Sequence, residues 1–183
     1  MRQEKPSHTH TLESRIAKWF AMSDETWKRH ANPWSVWTRI TVLPILIAAI
    51  WSRTWIGTWS LVPTAIAIAW AWFNPRIFAE PRSTNSWASK AVLGERVWLN
   101  RKEIPVPKHH RIVPNILTGV SGIGLPFVIW GVWQFEIWQT FVGCILVYAG
   151  KLWYLDRMVW IYEEMKDASQ EYAGWLYEDS ARK

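Results

Sequence analysis

Four long stretches of the chain contain no Asp, Glu, Lys or Arg, and all four are rich in aliphatic and aromatic residues. They are residues 40–52, 54–75, 112–135 and 137–150, which comprise 13, 22, 24 and 14 residues. At about 1.5 Å per residue, helices over the two longer runs would measure about 33 and 36 Å, enough to cross a hydrocarbon core of about 30 Å. The two longer runs therefore predict membrane-spanning helices.

The two shorter runs reach spanning length only if their helices continue past charged residues. The first covers 20 residues if it extends from 34 to 53, with the long side chain of Arg39 reaching the membrane interface. The last must extend from 137 to about 160, which brings three ionisable residues towards one membrane face: Lys151, Asp156 and Arg157. Re-entrant segments are the alternative, but the pattern favours an all-α fold with four transmembrane helices in two hairpins.

Basic residues fall on one side of this arrangement. Residues 1–39 carry seven Lys and Arg, residues 76–111 carry eight and residues 151–183 carry five, whereas the two remaining turns hold only Arg53. Because cytoplasmic loops of membrane proteins are enriched in Lys and Arg, we expect a multi-pass protein of the cytoplasmic (inner) membrane. Both termini and the central connector are expected on the cytoplasmic side.

The same pattern divides the chain into five segments. We expect an N-terminal leader with an amphipathic interfacial helix, a first transmembrane hairpin, a basic cytoplasmic connector, a second hairpin and a cytoplasmic tail, in residues 1–33, 34–75, 76–111, 112–162 and 163–183. In residues 12–27, apolar residues recur at helical spacing between basic ones, which is typical of a helix on a membrane surface. A helix that binds a partner protein would show the same face.

Composition also favours a membrane protein and excludes several other classes of protein. The chain has 17 Trp in 183 residues, and indole prefers the membrane interface, where its ring meets lipid and its N–H meets water. Anionic lipid headgroups account for the net charge of +6, and no nucleic-acid-binding motif accompanies it, so we expect membrane lipids and no nucleic acid as partners. The single cysteine, Cys144, excludes an intramolecular disulfide and a Cys-pair metal site.

Small residues within the runs are candidates for close helix packing. The second run offers two alternative pairs with a spacing of four residues, Ala65 with Ala69 and Ala67 with Ala71. The third run contains two prolines and the glycines Gly119, Gly122 and Gly124. Since glycine lets a neighbouring helix approach closely, we expect the third span at the centre of the bundle.

The connector contains a helical pattern over residues 87–101 with apolar residues on two sides, which predicts a helix sandwiched between membrane and protein. Glu95 and Arg96 are adjacent, so on a helix they diverge, and each needs its own partner, such as Arg101 or the acidic tail. In the last span, Asp156 is too short to reach water and is expected to pair with a cation, Arg39 or a connector arginine. Lys151, Asp156 and Arg157 are therefore candidates for structural ion pairs or, alternatively, for a transport pathway.

A histidine pair directly precedes the third span. His109 and His110 could ligate a metal or transfer protons. However, the chain has five histidines in all, without the repeated boxes of membrane di-iron enzymes and outside every predicted span. We therefore predict no metal site, and expect lipid-headgroup contacts by the cluster Lys108, His109, His110 and Arg111. No cofactor motif is recognisable, although apolar grooves can bind lipids, quinones or pigments without one.

Three segments carry a resemblance to known sequences: ANPWSVW at 31–37, WASKAVLGERVWLNR at 87–101, and GKLW at 150–153 with DRM at 156–158. Through them, and over most of the chain outside the leader, the protein resembles a small family of uncharacterised multi-pass membrane proteins from bacteria and archaea. The resemblance implies an integral membrane fold. It implies no activity, substrate or catalytic residue.

These observations favour a non-catalytic protein that acts as an accessory or assembly subunit of a larger inner-membrane complex, energy-transducing complexes included. The chain is small, aromatic residues flank its predicted spans, and its two outer turns are short. These features, together with the absence of a ligand cluster in the sequence, suit that role. Other membrane subunits, or copies of this chain, would be its partners. A small homo-oligomeric transporter or channel lined by Lys151, Asp156 and Arg157 is the alternative, and a lipid-acting enzyme using Glu95, His109 and His110 is a third.

Overall fold

A computed structural model of the protein describes residues 23–178, and every regular element in that range is helical, as the sequence predicts. The α-helices are α1 Asp24–His30, α2 Pro33–Ile40, α3 Val42–Trp51, α4 Arg53–Ile56, α5 Leu61–Ile77, α6 Trp87–Leu99, α7 Val113–Gln134, α8 Ile137–Met165 and α9 Gln170–Ala173. Short 3-10 helices cover Gly57–Ser60 and Lys108–His110. Most of the amphipathic helix predicted for residues 12–27 lies outside the described residues.

Capping residues set the beginnings of the first helices. The Ser23 hydroxyl accepts a hydrogen bond from the Thr26 backbone N–H at 3.2 Å and caps α1. Asn32 accepts from the Trp34 N–H at 3.0 Å and caps α2, while Pro33 takes the first helical position, where an N–H is not needed. The break at Asn32-Pro33 therefore follows directly from local sequence.

The second Asn-Pro acts differently. We expected the first hairpin to end at Pro75, but α5 continues to Ile77. A proline removes only its own N–H from a helix, and when it lies one turn from the end the remaining residues can complete that turn. The Asn74 side chain is fully buried and binds back into the hairpin.

Helices α3 and α5 form the first hairpin and pack antiparallel, with the turn between them made at Gly57, whose φ is 55°. Ala49 and Ala67 are buried between the two helices. The predicted packing pair Ala65 and Ala69 is exposed instead. That prediction is wrong within this chain because a shift of two residues turns a side chain by about 200° around a helix.

Helices α7 and α8 form the second hairpin and contact each other along most of α7. A Cβ added to Gly124 would lie 2.7 Å from the carbonyl oxygen of Gly143, so glycine at 124 allows this close approach. The other two predicted packing glycines, Gly119 and Gly122, have no atom within 4 Å of an added Cβ. They face away from α8, so the prediction is wrong for them within the described chain.

The closely packed core lies at one end of the molecule, where α6 crosses the C-terminal half of α8 and meets α1, α2 and α9. Its most enclosed side chains are Val92, Val97, Met158, Ile161, Tyr162 and Tyr172. Helix α6 touches α8 so closely that a Cβ on Gly94 would lie 1.8 Å from the Met158 carbonyl oxygen. Protein therefore covers both sides of α6, whereas we expected membrane on one side.

Away from this core, the two hairpins expose large apolar side chains. Those more than half exposed include Ile66, Ile68, Phe73, Ile116, Ile123, Ile129 and Trp130. Two helical stretches, Pro33–Ile77 and Lys108–Gln134, are long and apolar enough to cross a membrane by length and composition. The first stretch comprises α2 and the first hairpin.

The two hairpins are joined at the ends of their helices. At the turn end, Arg53 donates to the carbonyl oxygens of Val132 and Trp133 at 2.9 and 2.7 Å. Its guanidinium lies 4.0 Å from the centre of the Phe135 ring. These carbonyls belong to the last turn of α7, which favours a cation. At the other end, the Tyr148 hydroxyl donates to the Ile40 carbonyl oxygen at 2.6 Å.

Candidate functional site

A chain of buried hydrogen bonds begins at His30, the last residue of α1. Arg39 Nη1 lies 2.9 Å from His30 Nε2, and because a guanidinium only donates, Nε2 must accept. The ring proton therefore sits on Nδ1, which donates to the Ser35 hydroxyl at 3.0 Å. Ser35 donates to Asn74 Oδ1 at 2.8 Å, and Asn74 Nδ2 donates to Thr38 at 2.7 Å. These bonds hold His30 neutral and connect α1, α2 and α5.

The surroundings of His30 oppose its protonation. Burial, reinforced by the positive charge of Arg39, lowers the pKa of His30 to about 3. A proton added at Nε2 would also lose the hydrogen bond from Arg39 and place two cations together. His30 is consequently a structural, uncharged histidine at neutral pH.

An ion pair between α6 and α8 lies beside this chain. Lys151 Nζ is 2.7 Å from Glu95 Oε1, and the two side chains are 49% and 18% exposed. Burial alone would raise the pKa of Glu95, but contact with Lys151 and the charge of Arg39 outweigh it, so the Glu95 pKa is lowered. Glu95 is therefore ionised, and its partner is Lys151 rather than Arg101 or the acidic tail.

These polar groups line a cavity of about 300 Å³ between α2, α3, α6 and α8, which we call the basic pocket. Its polar lining is His30, Arg39, Glu95, Tyr148 and Lys151, and its walls are apolar residues that include Val36, Leu43, Val92, Val147 and Leu155. With His30 neutral, two cations and one carboxylate leave the pocket with a formal charge of +1. A cationic group above hydrocarbon walls is suited to an amphipathic anion.

The connector arginines have separate partners. Arg96 forms a hydrogen-bonded ion pair with Asp24 and lies 3.4 Å from Glu171 in the C-terminal region. Arg101 donates to the carbonyl oxygen of Trp98 at 2.6 Å, and its guanidinium lies 4.2 Å from the centre of the Trp98 ring. Glu95 and Arg96 thus diverge from α6, as their adjacency predicts.

The acidic residue of the last span is bound by tryptophans. Asp156 accepts from the indole N–H groups of Trp87 and Trp160 at 3.2 and 3.3 Å. Within residues 23–178 it has no salt bridge, so the predicted pairing with an arginine is wrong: two indole donors satisfy the carboxylate instead. Arg157 Nε is buried with no hydrogen-bond partner in the described residues. Of the three transport candidates, only Lys151 lines the basic pocket.

His109, His110 and Glu164 form a second group, the histidine–glutamate cluster. His109 Nε2 lies 3.1 Å from Glu164 Oε2, and His110 Nε2 lies 3.1 Å from Glu164 Oε1. The hydrogen bond from His109 lowers the pKa of Glu164, which is therefore ionised. The side chain of His110 is 4% exposed, so its predicted contact with lipid headgroups is wrong, because it faces the end of α8 instead of the surroundings.

The two basic neighbours of the histidine pair differ in their contacts. Lys108 is exposed, while Arg111 Nε donates to the carbonyl oxygen of Val106 at 3.2 Å. No sequence pattern indicated Glu164, which lies 55 residues beyond His109, or the buried Ser35. The repeated Asn-Pro pairs were the available signal for Asn74.

Residues 23–178 form an all-helical fold in which two apolar hairpins join a charged, closely packed end. Residues 11–176 match the profile of the family of unknown function DUF6653, and the chain belongs to this family. No curated protein and no solved structure matches the chain.

Proposed function

We propose that the protein is a non-catalytic, four-span integral membrane protein. The observation that carries this proposal is the uneven distribution of burial: the core is confined to α6, the end of α8 and their neighbours, while both hairpins expose bulky apolar side chains. A soluble monomer rarely exposes continuous apolar surface of more than a few hundred Å². Lipid would cover these helices, and the cytoplasm would surround the charged end.

The protein would act as an accessory or assembly subunit of a larger inner-membrane complex, energy-transducing complexes included. An apolar groove of about 520 Å³ between α3 and α5 supports this role, and it is lined by Val42, Ile45, Ala49, Pro63, Ile66, Ala67 and Trp70. In a membrane, such a groove is filled by lipid or by a helix of another subunit. The short turns opposite the charged end leave little surface for other roles.

Topology is tested by cysteine labelling in a Cys144→Ala background, since Cys144 is the only native cysteine. Glu136→Cys places a thiol in the turn of the second hairpin, and Arg82→Cys places one in the connector. We expect an impermeant maleimide to label position 136 in intact bacterial cells and position 82 only after lysis. Labelling of the connector in intact cells would refute the proposed orientation, and failure to label position 136 in intact cells would refute the second crossing.

The accessory role is tested by native gel electrophoresis of mildly solubilised membranes, with mass spectrometry of the comigrating proteins. A reproducible large complex with different subunits would support the role. A small oligomer of this chain alone would contradict it and favour the transporter alternative. That alternative has less support because the basic pocket is lined by Lys151 but not by Asp156 or Arg157.

The basic pocket supports a second candidate function, the binding of an amphipathic anion such as an anionic lipid. Arg39 and Lys151 would meet its head and the apolar walls its chain. Native mass spectrometry of the purified protein should detect this lipid, and Lys151→Gln should release it. Lys166→Gln is the matched control, because Lys166 pairs with Glu163 away from the pocket. Equal lipid content in both variants would exclude the pocket as its site.

A further inference from the structure

We infer that the histidine–glutamate cluster is a binding site for a divalent transition-metal ion, and that zinc is the ion its ligands fit best. The donor atoms of His109, His110 and Glu164 all lie within 4.8 Å of one another. Two imidazole nitrogens and a carboxylate are a ligand set that zinc uses, with water in the fourth position. This inference does not depend on the proposed accessory role.

The distances fit coordination. Each histidine Nε2 lies 3.1 Å from an oxygen of the same carboxylate. In a tetrahedral site with bonds of about 2.1 Å, neighbouring ligand atoms are about 3.4 Å apart. The two histidine–carboxylate separations are therefore close to those around an ion, and all the donor atoms lie within 4.8 Å of one another, so side-chain rotations would bring them onto one.

His110 supplies an independent observation. Its side chain is 4% exposed, yet its Nε2 has no hydrogen-bond partner in the described part of the chain, although a Glu164 oxygen lies 3.1 Å away. Buried polar atoms usually have a partner. In a hydrogen bond, an N–H points at the oxygen, whereas the lone pairs of metal ligands point at a common centre between them. His110 Nε2 lies close to the Glu164 oxygen without the alignment of a hydrogen bond, which agrees with two ligands that point at a common metal ion.

The position of the cluster indicates what the ion would do. His110 ends the turn that leads from the connector into α7, and Glu164 lies in the last turn of α8. A bound ion would clamp the connector to the end of α8 and close the second hairpin on this side. His109 and Glu164 are exposed, so the open coordination position would face the surroundings and accept water or another oxygen ligand.

The test is a Zn²⁺ titration of the full chain in detergent, purified through a tag without histidine and treated with a chelator. We expect one equivalent of Zn²⁺ per chain. His109→Ala and Glu164→Gln should each weaken binding at least about tenfold, because even outer-shell changes have effects of that size. Both side chains are exposed, so these variants should fold. His110→Gln should weaken binding as well.

Two control variants make the result specific. Glu163→Gln removes the neighbouring carboxylate, which pairs with Lys90 instead, and should leave binding unchanged. His8→Ala combined with His10→Ala, at positions outside the described residues, should also leave it unchanged. The inference is overturned if no Zn²⁺ binds at micromolar concentration, if His109→Ala and Glu164→Gln bind like the native chain, or if the leader variant loses the ion.

Discussion

Mild acid should destabilise the folded protein through His30. The folded chain holds this ring neutral with a pKa of about 3, compared with an ordinary value of 6.5. Below pH 6.5 the unfolded chain therefore binds a proton that the folded chain does not bind, and acidification favours unfolding. The contribution of neutral His30 to the folding stability is fully present above pH 6.5 and is lost as the pH falls towards 3.

The size of the effect follows from the pKa difference. Each pH unit between the two values changes the free energy of unfolding by about 1.4 kcal/mol, so the loss between pH 6.5 and 5 is about 2 kcal/mol. For a chain of this size, about 2 kcal/mol corresponds to a decrease of about 4–8 °C in the melting temperature. The Tyr and Trp side chains make intrinsic fluorescence a suitable probe of melting in detergent.

The comparison is between the native chain and His30→Gln at pH 7, 6 and 5. Glutamine cannot titrate, and every other ionisable group is common to both proteins, so the difference between their pH profiles belongs to His30. We expect the native chain to lose about 4–8 °C more than the variant between pH 7 and 5, even if the variant melts lower at pH 7. Parallel profiles would refute the conclusion that His30 is held neutral.

Three further predictions concern stability in detergent and are measured by the same melting assay. Gly94→Ala should destabilise the fold by about 1–3 kcal/mol or more, because its Cβ would meet the Met158 carbonyl oxygen at 1.8 Å. Gly119→Ala, with open space around it, should be neutral or slightly stabilising. Equal effects of the two variants would refute the packing of α6 on α8. Arg53→Gln should cost about 1–3 kcal/mol by removing the charged donor at the end of α7, and an unchanged melting temperature would show that the hairpins do not depend on this contact. Asp156→Asn keeps a carbonyl acceptor for one of the two indole N–H groups and should be milder than the alanine variant at this position, whose cost should be about 1–3 kcal/mol. Equal costs for the two variants would mean that the negative charge matters and not the acceptor.

Local sequence explains where several helices begin. The helical pattern over 87–101 was predicted, and α6 begins at Trp87. The caps at Ser23 and Asn32 likewise depend only on neighbouring residues. Helix orientation was harder to predict: Ala65 and Ala69 had the right spacing but lie on the outer face, because spacing alone does not say which side of a helix meets its neighbour.

The sites depend on contacts between distant parts of the chain. Glu95 and Lys151 are 56 positions apart, and adjacency showed only that Glu95 needed a partner, not which one. Charge matching predicted an arginine for Asp156, but a chain rich in tryptophan offers neutral donors that serve equally well. The paired histidines were recognised, whereas Glu164 looked like one of several acidic residues in a solvated tail. Only the fold brings it to them.

The contact between α6 and α8 also bears on how the protein is made. A ribosome synthesises α3, α5, α6 and α7 before it reaches the second half of α8. The apolar faces of α6 therefore lack their contacts with Met158 and Ile161 until those residues have been made. Glu95 likewise lacks its lysine until residue 151 has emerged. The first hairpin can form early, but the charged end can assemble only when synthesis is nearly complete. A chain that stops within α8 would therefore leave α6 as an uncovered segment for quality-control proteases, while both hairpin turns were already in place.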